Sequence, residues 1–441
     1  VNGTDVLRGL DRDHFWHPYT PVESIGKDDF PVIREASGVY LVDTDGFRML
    51  DGISSWWCVN LGHCNPALVS AVREQVGRLH HSITGGMSHE PVIRLAAGLA
   101  GISPEGLSRT YFASDGASAV EAAVRMAIQY WWNLGNPRKR KIISLEGGYH
   151  GDTLGCVGLG FVEKFHGSLA HVVDRSVTGP SPRCFHCPHR SEQPHCGLSC
   201  LDEFERVIRG NARDTAAVIV EPVCQGASGM RIYPPEYIGG LRRICDENDV
   251  LLILDEIAVG FMRTGEMFAS GLAGITPDLM CIGKGLTGGT LPMSAVLVRE
   301  HVYDSFRATG KRDGTFYHGH TFCGNPVAAS AALAALDLYD SDFIRENTSM
   351  IAGMLAGAFG ELDGMRGVRG ATALGCMSSL ELEGDDGSGA ARVAARARKM
   401  GLFIRPLGPV LYLWPPLVTT AEEMSSMLEI FTGALTVELS R

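Results

Sequence analysis

Runs of uninterrupted apolar residues stand out in a chain whose hydrophobic positions otherwise recur every three or four residues. Residues 250–254 (VLLIL) close on the carboxylates Asp255 and Glu256, and Leu279–Ile282 (LMCI) closes on Lys284, between Gly283 and Gly285. Runs apolar at every position suit strands buried on both faces of a parallel sheet. AAVIVEPV, with Glu221 at its end, and Ser294–Val298 read the same way. Helical spacing covers 66–80, 91–99, LRRICDEND, the Ala-rich stretch 327–338, and 117–132, where Val120, Val124, Ile128 and Trp131 share a face. GVYLVDTDGFRMLDG alternates around Asp45-Gly46 and predicts a hairpin. HFWHPYTP is too rich in proline for a helix, and the first sixty residues read as an extended arm. The last hundred alternate helices with short strands such as CMSSLELE, the pattern of a separate α/β lobe.

Composition narrows the class. With 441 residues, 45% hydrophobic and 20% charged, the chain describes an ordinary soluble enzyme with a large core. A net charge of -11 argues against a nucleic-acid surface. No apolar run reaches the length of a membrane span, and the start lacks a signal-peptide pattern, so a cytoplasmic location is expected. Twelve scattered Cys suit reduced thiols rather than a disulfide framework. CFHCPHRSEQPHCGLSC, from Cys184 to Cys200, has Cys-x2-Cys and Cys-x3-Cys pairs with His186, His189 and His195 nearby. It reads either as a structural zinc loop or as a reduced surface loop, and the second is the expectation, with no metal.

In a parallel sheet, functional groups collect beyond the carboxyl ends of the strands, where Asp255 and Lys284 both fall. A buried amine and a buried carboxylate suit pyridoxal phosphate: lysine holds its aldehyde as a Schiff base, and the acid keeps its ring nitrogen protonated. A structural ion pair is the alternative for the pair alone. Residues 111–113 predict a short strand, followed by the turn Ser114-Asp115-Gly116 and a helix. The unpaired N–H groups at such a helix start can hold a phosphate, and can also simply be capped. Tyr149, in the loop GGYHGDT, can lie flat on a pyridine ring. The aromatics of HFWHPYTP and SSWW can wall an aliphatic pocket, and Arg405 in FIRPLGPVLYLWPPL is a candidate carboxylate grip.

Taken together, EPVCQGASGMRIYPPEYIGGLRRICDENDVLLILDEIAVGFMRTGEMFA followed by GKGLTGG resembles the class III pyridoxal-phosphate aminotransferases of fold type I, over nearly the whole chain. The resemblance implies an α/β fold: a large cofactor domain (61–330) with a mostly parallel sheet between helices, and a smaller α/β lobe (331–441). An N-terminal arm and hairpin (1–60) would contribute to the lobe and the site. It implies Lys284 as the Schiff-base lysine, Asp255 as partner of the ring nitrogen, Tyr149 stacked on one face and Ile257 beneath. Gly116 and Ala117 would offer backbone N–H groups to the phosphate. Thr321 would reach the phosphate of a second copy, the sites lying at a homodimer interface. Tyr19, Trp56, Tyr149 and Gly319 would line the substrate slot, and Arg405 would bind a carboxylate tail, with Glu221, Asp152 and Tyr412 in support.

Within the class, HPYT, DGISSWW, GGYHGDT, TLPMSA, GNP and IRPLG resemble members that aminate 8-amino-7-oxononanoate to 7,8-diaminononanoate in biotin synthesis. An ω-aminotransferase acting on another diamine or ω-amino acid is the alternative. The partners implied are a keto substrate and an amino donor. Two departures stand out. Ala117 replaces a serine that often helps to bind phosphate. His320 precedes Thr321 where S-adenosylmethionine users carry proline, which leaves the donor open.

Overall fold

Residues 3–27, 30–189, 196–307 and 313–440 are described by the structure, a computed structural model. Its organising element is a seven-stranded sheet in the order Arg109–Ala113, Ser294–Val298, Leu279–Ile282, Leu251–Asp255, Thr215–Val220, Lys141–Leu145, Val177–Gly179. Ser294–Val298 runs antiparallel to both neighbours, and the remaining pairs are parallel. Every residue of the strands Thr215–Val220, Leu251–Asp255, Leu279–Ile282 and Ser294–Val298 is buried, as their unbroken apolar runs require.

The two faces of the sheet are covered by different helices, and the strand period of two divides its side chains between them. Leu251 and Ile253 join a core with Ala119, Val120, Ala123 and Ala127 of the helix Gly116–Asn133. Leu252 and Leu254 face Leu201, Phe204 and Ile208 of Ser199–Asn211, and Tyr237 and Leu241 of Pro235–Glu247. Register then places the chemistry. Asp255 pairs with Cys281, so its carboxylate and Lys284 leave the same edge of adjacent strands.

Three smaller sheets complete the fold. Val368–Leu374, Met377–Leu382 and Val410–Leu413 form an antiparallel sheet, and Cys224–Gln225 pairs with Arg231–Ile232. The hairpin strands Tyr40–Asp43 and Arg48–Asp51 turn at Asp45-Gly46 as expected, and Leu402–Phe403 adds to them in parallel. The helix Ala421–Leu439 is opened by a capping box between Thr420 and Glu423.

The reading of the first sixty residues as an extended arm is corrected at its start, because Gly3–His14 is helical. Its apolar residues Val6, Leu7 and Leu10 stay exposed, so no buried stripe marks the helix. Tertiary polar contacts hold it instead: Thr4 Oγ1 donates to Asp45 Oδ1 at 2.9 Å, and Arg8 pairs with Asp45 Oδ2 at 3.3 Å. Among the described residues, no helix is long and apolar enough to cross a membrane.

Candidate active site

Two cavities, of about 1590 and 680 Å³, meet at Trp57, Cys58, Tyr149 and Lys284. Lys284 enters through a short 3-10 turn directly after its strand, with a left-handed φ of 40°. Burial lowers the pKa of its amine, against the pull of Asp255, Cys58 and Glu221, which favour the ammonium. Its Nζ lies 5.2 Å from the centre of the Trp57 ring.

Asp255 is buried and doubly hydrogen-bonded. His150 Nδ1 lies 2.7 Å from Oδ2, and the Ile257 N–H donates to Oδ1 at 3.2 Å. His150 is itself buried, and its Nε2 has no hydrogen-bond partner among the described residues. With Asp255 acting as acceptor, Nδ1 carries the imidazole proton. This histidine escaped the sequence reading, although it stands beside Tyr149 in GGYHGDT.

The smaller cavity is lined by Ser114–Ala117, Tyr149–Thr153, Glu221, Asp255 and Ile257. Asp115 caps the helix Gly116–Asn133 by accepting from the Ser118 N–H at 2.9 Å, leaving the first amides of the helix facing the cavity. Gly116 keeps Ile257 close, since a Cβ there would meet Ile257 Cδ1 at 3.1 Å and press it aside. Gly151, at φ +119°, lets its loop pass so close that an added Cβ would lie 2.5 Å from that of Ala117. Glu221 ties this loop down by accepting the N–H of Tyr149 at 2.9 Å and of Gly226 at 3.0 Å. Burial pushes its carboxyl up to about 7.

A planar pyridine bearing an aldehyde and a phosphate fits this arrangement. Lys284 is a buried amine whose pKa burial lowers, Asp255 is a carboxylate fixed by His150, and the helix start presents amides that can hold a phosphate. Ile257 packs against Gly116 between them.

The larger cavity is walled by segments far apart in sequence. Ser54–Trp57 forms a turn with left-handed φ at all four residues, 48°, 43°, 71° and 70°. Such backbone costs roughly 1–2 kcal/mol per residue. Ser54 Oγ donates to Trp414 O and Ser55 Oγ to Asp51 Oδ2, both at 2.7 Å. The fully buried Arg263 reaches Asn60 Oδ1 (2.8 Å), Pro415 O (2.7 Å) and Ser54 Oγ (3.4 Å). The turn sends Trp57 to Lys284 and Trp56 to the cleft wall. No pattern in the sequence announces it.

Trp56 stands edge-on to Tyr19 with ring centres 5.6 Å apart, and Arg405 lies 4.4 Å over its ring. Arg405 also donates to Tyr19 O at 3.0 Å. The Tyr19 and Tyr149 hydroxyls donate to Asp152 at 2.7 and 2.9 Å. Burial and Asp152 hold the Tyr19 phenol up at about 12, and burial raises that of Tyr149 further. Tyr412, pushed up to about 12 by burial, accepts from Trp57 Nε1 at 3.3 Å. Phe165, edge-on to Tyr19 at 5.3 Å, completes the wall and was missed.

Lys284, Asp255, Tyr149, Gly116, Ala117, Ile257 and Glu221 thus converge on one cavity, and Tyr19, Trp56, Tyr149, Arg405 and Tyr412 on the other. Gly319 and Thr321 do not join them: both are exposed and line neither cavity of their own chain. Residues 190–195 of the cysteine loop, His195 included, and the side chain of His186 lie outside the described residues. Among the described residues no His/Cys/Asp/Glu group could hold a metal ion.

Known proteins are similar to this chain over nearly its whole length. The chain is 39% identical over 440 residues to the adenosylmethionine-8-amino-7-oxononanoate aminotransferase of Geobacter sulfurreducens, covering 97% of this chain and 96% of the relative. The crystal structure of the enzyme of that name from Methanocaldococcus jannaschii superposes with a TM-score of 0.91 at 34% identity, covering 98% of this chain and 99% of that one. A PLP-bound amine transaminase from an uncultivated Pseudomonas species gives 0.91 at 32% identity, with 96% and 98% covered. The class-III aminotransferase profile matches residues 24–435, and the chain belongs to that family of aminotransferases.

Proposed function

We propose that this aminotransferase carries an amino group from a donor to 8-amino-7-oxononanoate, giving 7,8-diaminononanoate, with pyridoxal phosphate held between Lys284 and Asp255. The observation that carries the proposal is the slot of Tyr19, Trp56 and Arg405 on the cavity that Lys284 also lines, walled there by aromatic rings with a guanidinium over that of Trp56. It suits an aliphatic keto acid whose reacting carbon lies far from its carboxylate. The relatives' names point the same way, and S-adenosylmethionine is the donor they suggest.

Each residue then has a task. Bound pyridoxal phosphate supplies an aldehyde that accepts amino groups and a ring that draws electrons from the carbon losing its proton. Lys284 Nζ would hold the aldehyde and, with its pKa lowered by burial, would serve as the base that moves the proton at the reacting carbon. Asp255 would accept the ring N–H, and His150 orients that carboxylate. Tyr149 would cover one ring face and Ile257 the other. The amides of Gly116 and Ala117 would hold the phosphate. Arg405 binds the substrate carboxylate, with Tyr412 steadying the Trp57 wall.

A homodimer belongs to the proposal, with Thr321 and Gly319 of one copy completing the site of the other. So does the division into a cofactor domain (61–330) and a smaller lobe (1–60 with 331–441), in a cytoplasmic enzyme. The test is half-reaction spectroscopy. S-adenosylmethionine added to pyridoxal-phosphate-loaded protein should bleach its visible absorbance, and 8-amino-7-oxononanoate should restore it. If no donor supports turnover of 8-amino-7-oxononanoate, the substrate assignment fails. The second reading, an ω-aminotransferase for another diamine or ω-amino acid, draws on His320 before Thr321, and bleaching by lysine with other keto acids as acceptors would favour it.

A further inference from the structure

The segment that supplies Phe165 also carries a buried histidine with no assigned task. His166 closes the short helix Glu163–His166 and is buried in a ring of aromatics, edge-on to Phe161 at 5.8 Å and to Phe165 at 6.1 Å. Its two nitrogens have different partners. The Val162 N–H, which can only donate, reaches Nδ1 at 3.1 Å, so Nδ1 is the acceptor. The ring proton therefore sits on Nε2, which lies 3.3 Å from Asp152 Oδ1. Asp152 is the acceptor that both slot tyrosines share, Tyr19 through Oδ1 and Tyr149 through Oδ2.

Asp152 side-chain atoms are half exposed, and Tyr19 has a left-handed φ of 51°. Neither would hold one orientation unaided, because an exposed carboxylate has several rotamers and non-glycine residues resist that backbone region. The backbone of Tyr19 is gripped by Arg405, its phenol by Asp152, and Asp152 in turn by His166. We infer that His166 is a positioning residue for substrate recognition: locked as its Nε2–H tautomer by the Val162 amide, it fixes Asp152 and, through that carboxylate, the hydroxyls of Tyr19 and Tyr149 that shape the slot. The inference rests on the functional reading above, since it treats that slot as the keto substrate's.

Three variants separate the two ends of the ring. His166→Gln returns an N–H near the place of Nε2, His166→Asn an oxygen near the place of Nδ1, and His166→Phe the shape alone. Steady-state kinetics with 8-amino-7-oxononanoate should show KM raised about tenfold in H166F and H166N, the scale of one lost hydrogen bond to a charged group. H166Q should recover to within about threefold of wild type, with kcat nearly constant throughout. Rescue by H166N and not by H166Q would assign His166 to the Val162 backbone alone and overturn the inference, as would an unchanged KM in H166F. Should the variants fold poorly, the 15N shifts of the wild-type ring decide: a neutral Nε2–H tautomer is expected, and an Nδ1–H tautomer ends the proposal. A wild type that does not turn over 8-amino-7-oxononanoate defeats the functional reading instead, and the series is then measured with the keto acid it does use.

Discussion

Replacing Glu221 by glutamine should leave the fold intact while changing how its stability responds to pH. The carboxyl is buried at the cavity floor and accepts two backbone N–H groups, from Tyr149 and Gly226. Burial outweighs those bonds and carries its proton release from the ordinary 4.5 to about 7. Between those values the unfolded chain has lost the proton and the folded chain has kept it, so unfolding releases a proton and stability falls as pH rises. At 1.36 kcal/mol for each pH decade, ionised Glu221 is disfavoured in the fold by about 3 kcal/mol once the pH exceeds 7. Glutamine has no proton to release, but its NH2 must face one of the two amide donors, a mismatch worth about 1–3 kcal/mol at every pH. Chemical denaturation of wild type and Glu221→Gln from pH 5 to 8.5 should therefore show the variant less stable at pH 5, with the difference shifting in its favour by about 2.5 kcal/mol towards pH 8.5. The neighbouring Glu256, also raised to about 7, contributes equally to both proteins and cancels. Parallel curves across that range would refute the reasoning, because they would mean Glu221 ionises alike in both states.

Lys284→Ala should abolish turnover and the visible absorbance of bound pyridoxal phosphate, and an active variant would contradict its assignment. His150→Phe removes the donor to Asp255 Oδ2, so kcat should fall by about 10²-fold, the order seen when a preorganised polar contact is lost, with the melting temperature measured alongside. Gly151→Ala places a methyl 2.5 Å from Ala117 Cβ and forces the phosphate cradle apart, so the Kd for pyridoxal phosphate should rise at least about tenfold by absorbance titration. Arg405→Met should raise KM for the keto acid about 10²-fold while sparing a carboxylate-free amine acceptor, and equal losses for both would remove its role as an anion grip.

The reaction floor was legible because it obeys simple rules. Unbroken apolar runs of this length suit interior strands, and in a parallel sheet the polar residues that end them, Asp255 and Lys284, gather at one edge. The substrate slot was only partly legible. Tyr19, Trp56 and Arg405 could be suggested by resemblance, but Phe165 and His166 lie in a four-residue helix too short for periodicity to mark it. Trp57 is brought to Lys284 by a left-handed turn that depends on Asp51, Trp414 and the buried Arg263, partners up to 360 residues away. The opening helix was missed for a different reason: Val6, Leu7 and Leu10 recur at helical spacing, but that face stays exposed and the helix is pinned through Asp45 instead of a core.

The way the cleft is built separates two kinds of inheritance. The groups proposed to handle electrons and protons hang from the rim of the central sheet, where any shift would disturb several packed layers at once. Those proposed to choose the molecule to be transformed sit on four ribbons from distant parts of the chain, around Tyr19, Trp56, Phe165 and Arg405. Exchanging one ribbon alters the guest without touching the reaction, so a protein of this build can acquire a new diet in small steps while its chemistry stays fixed.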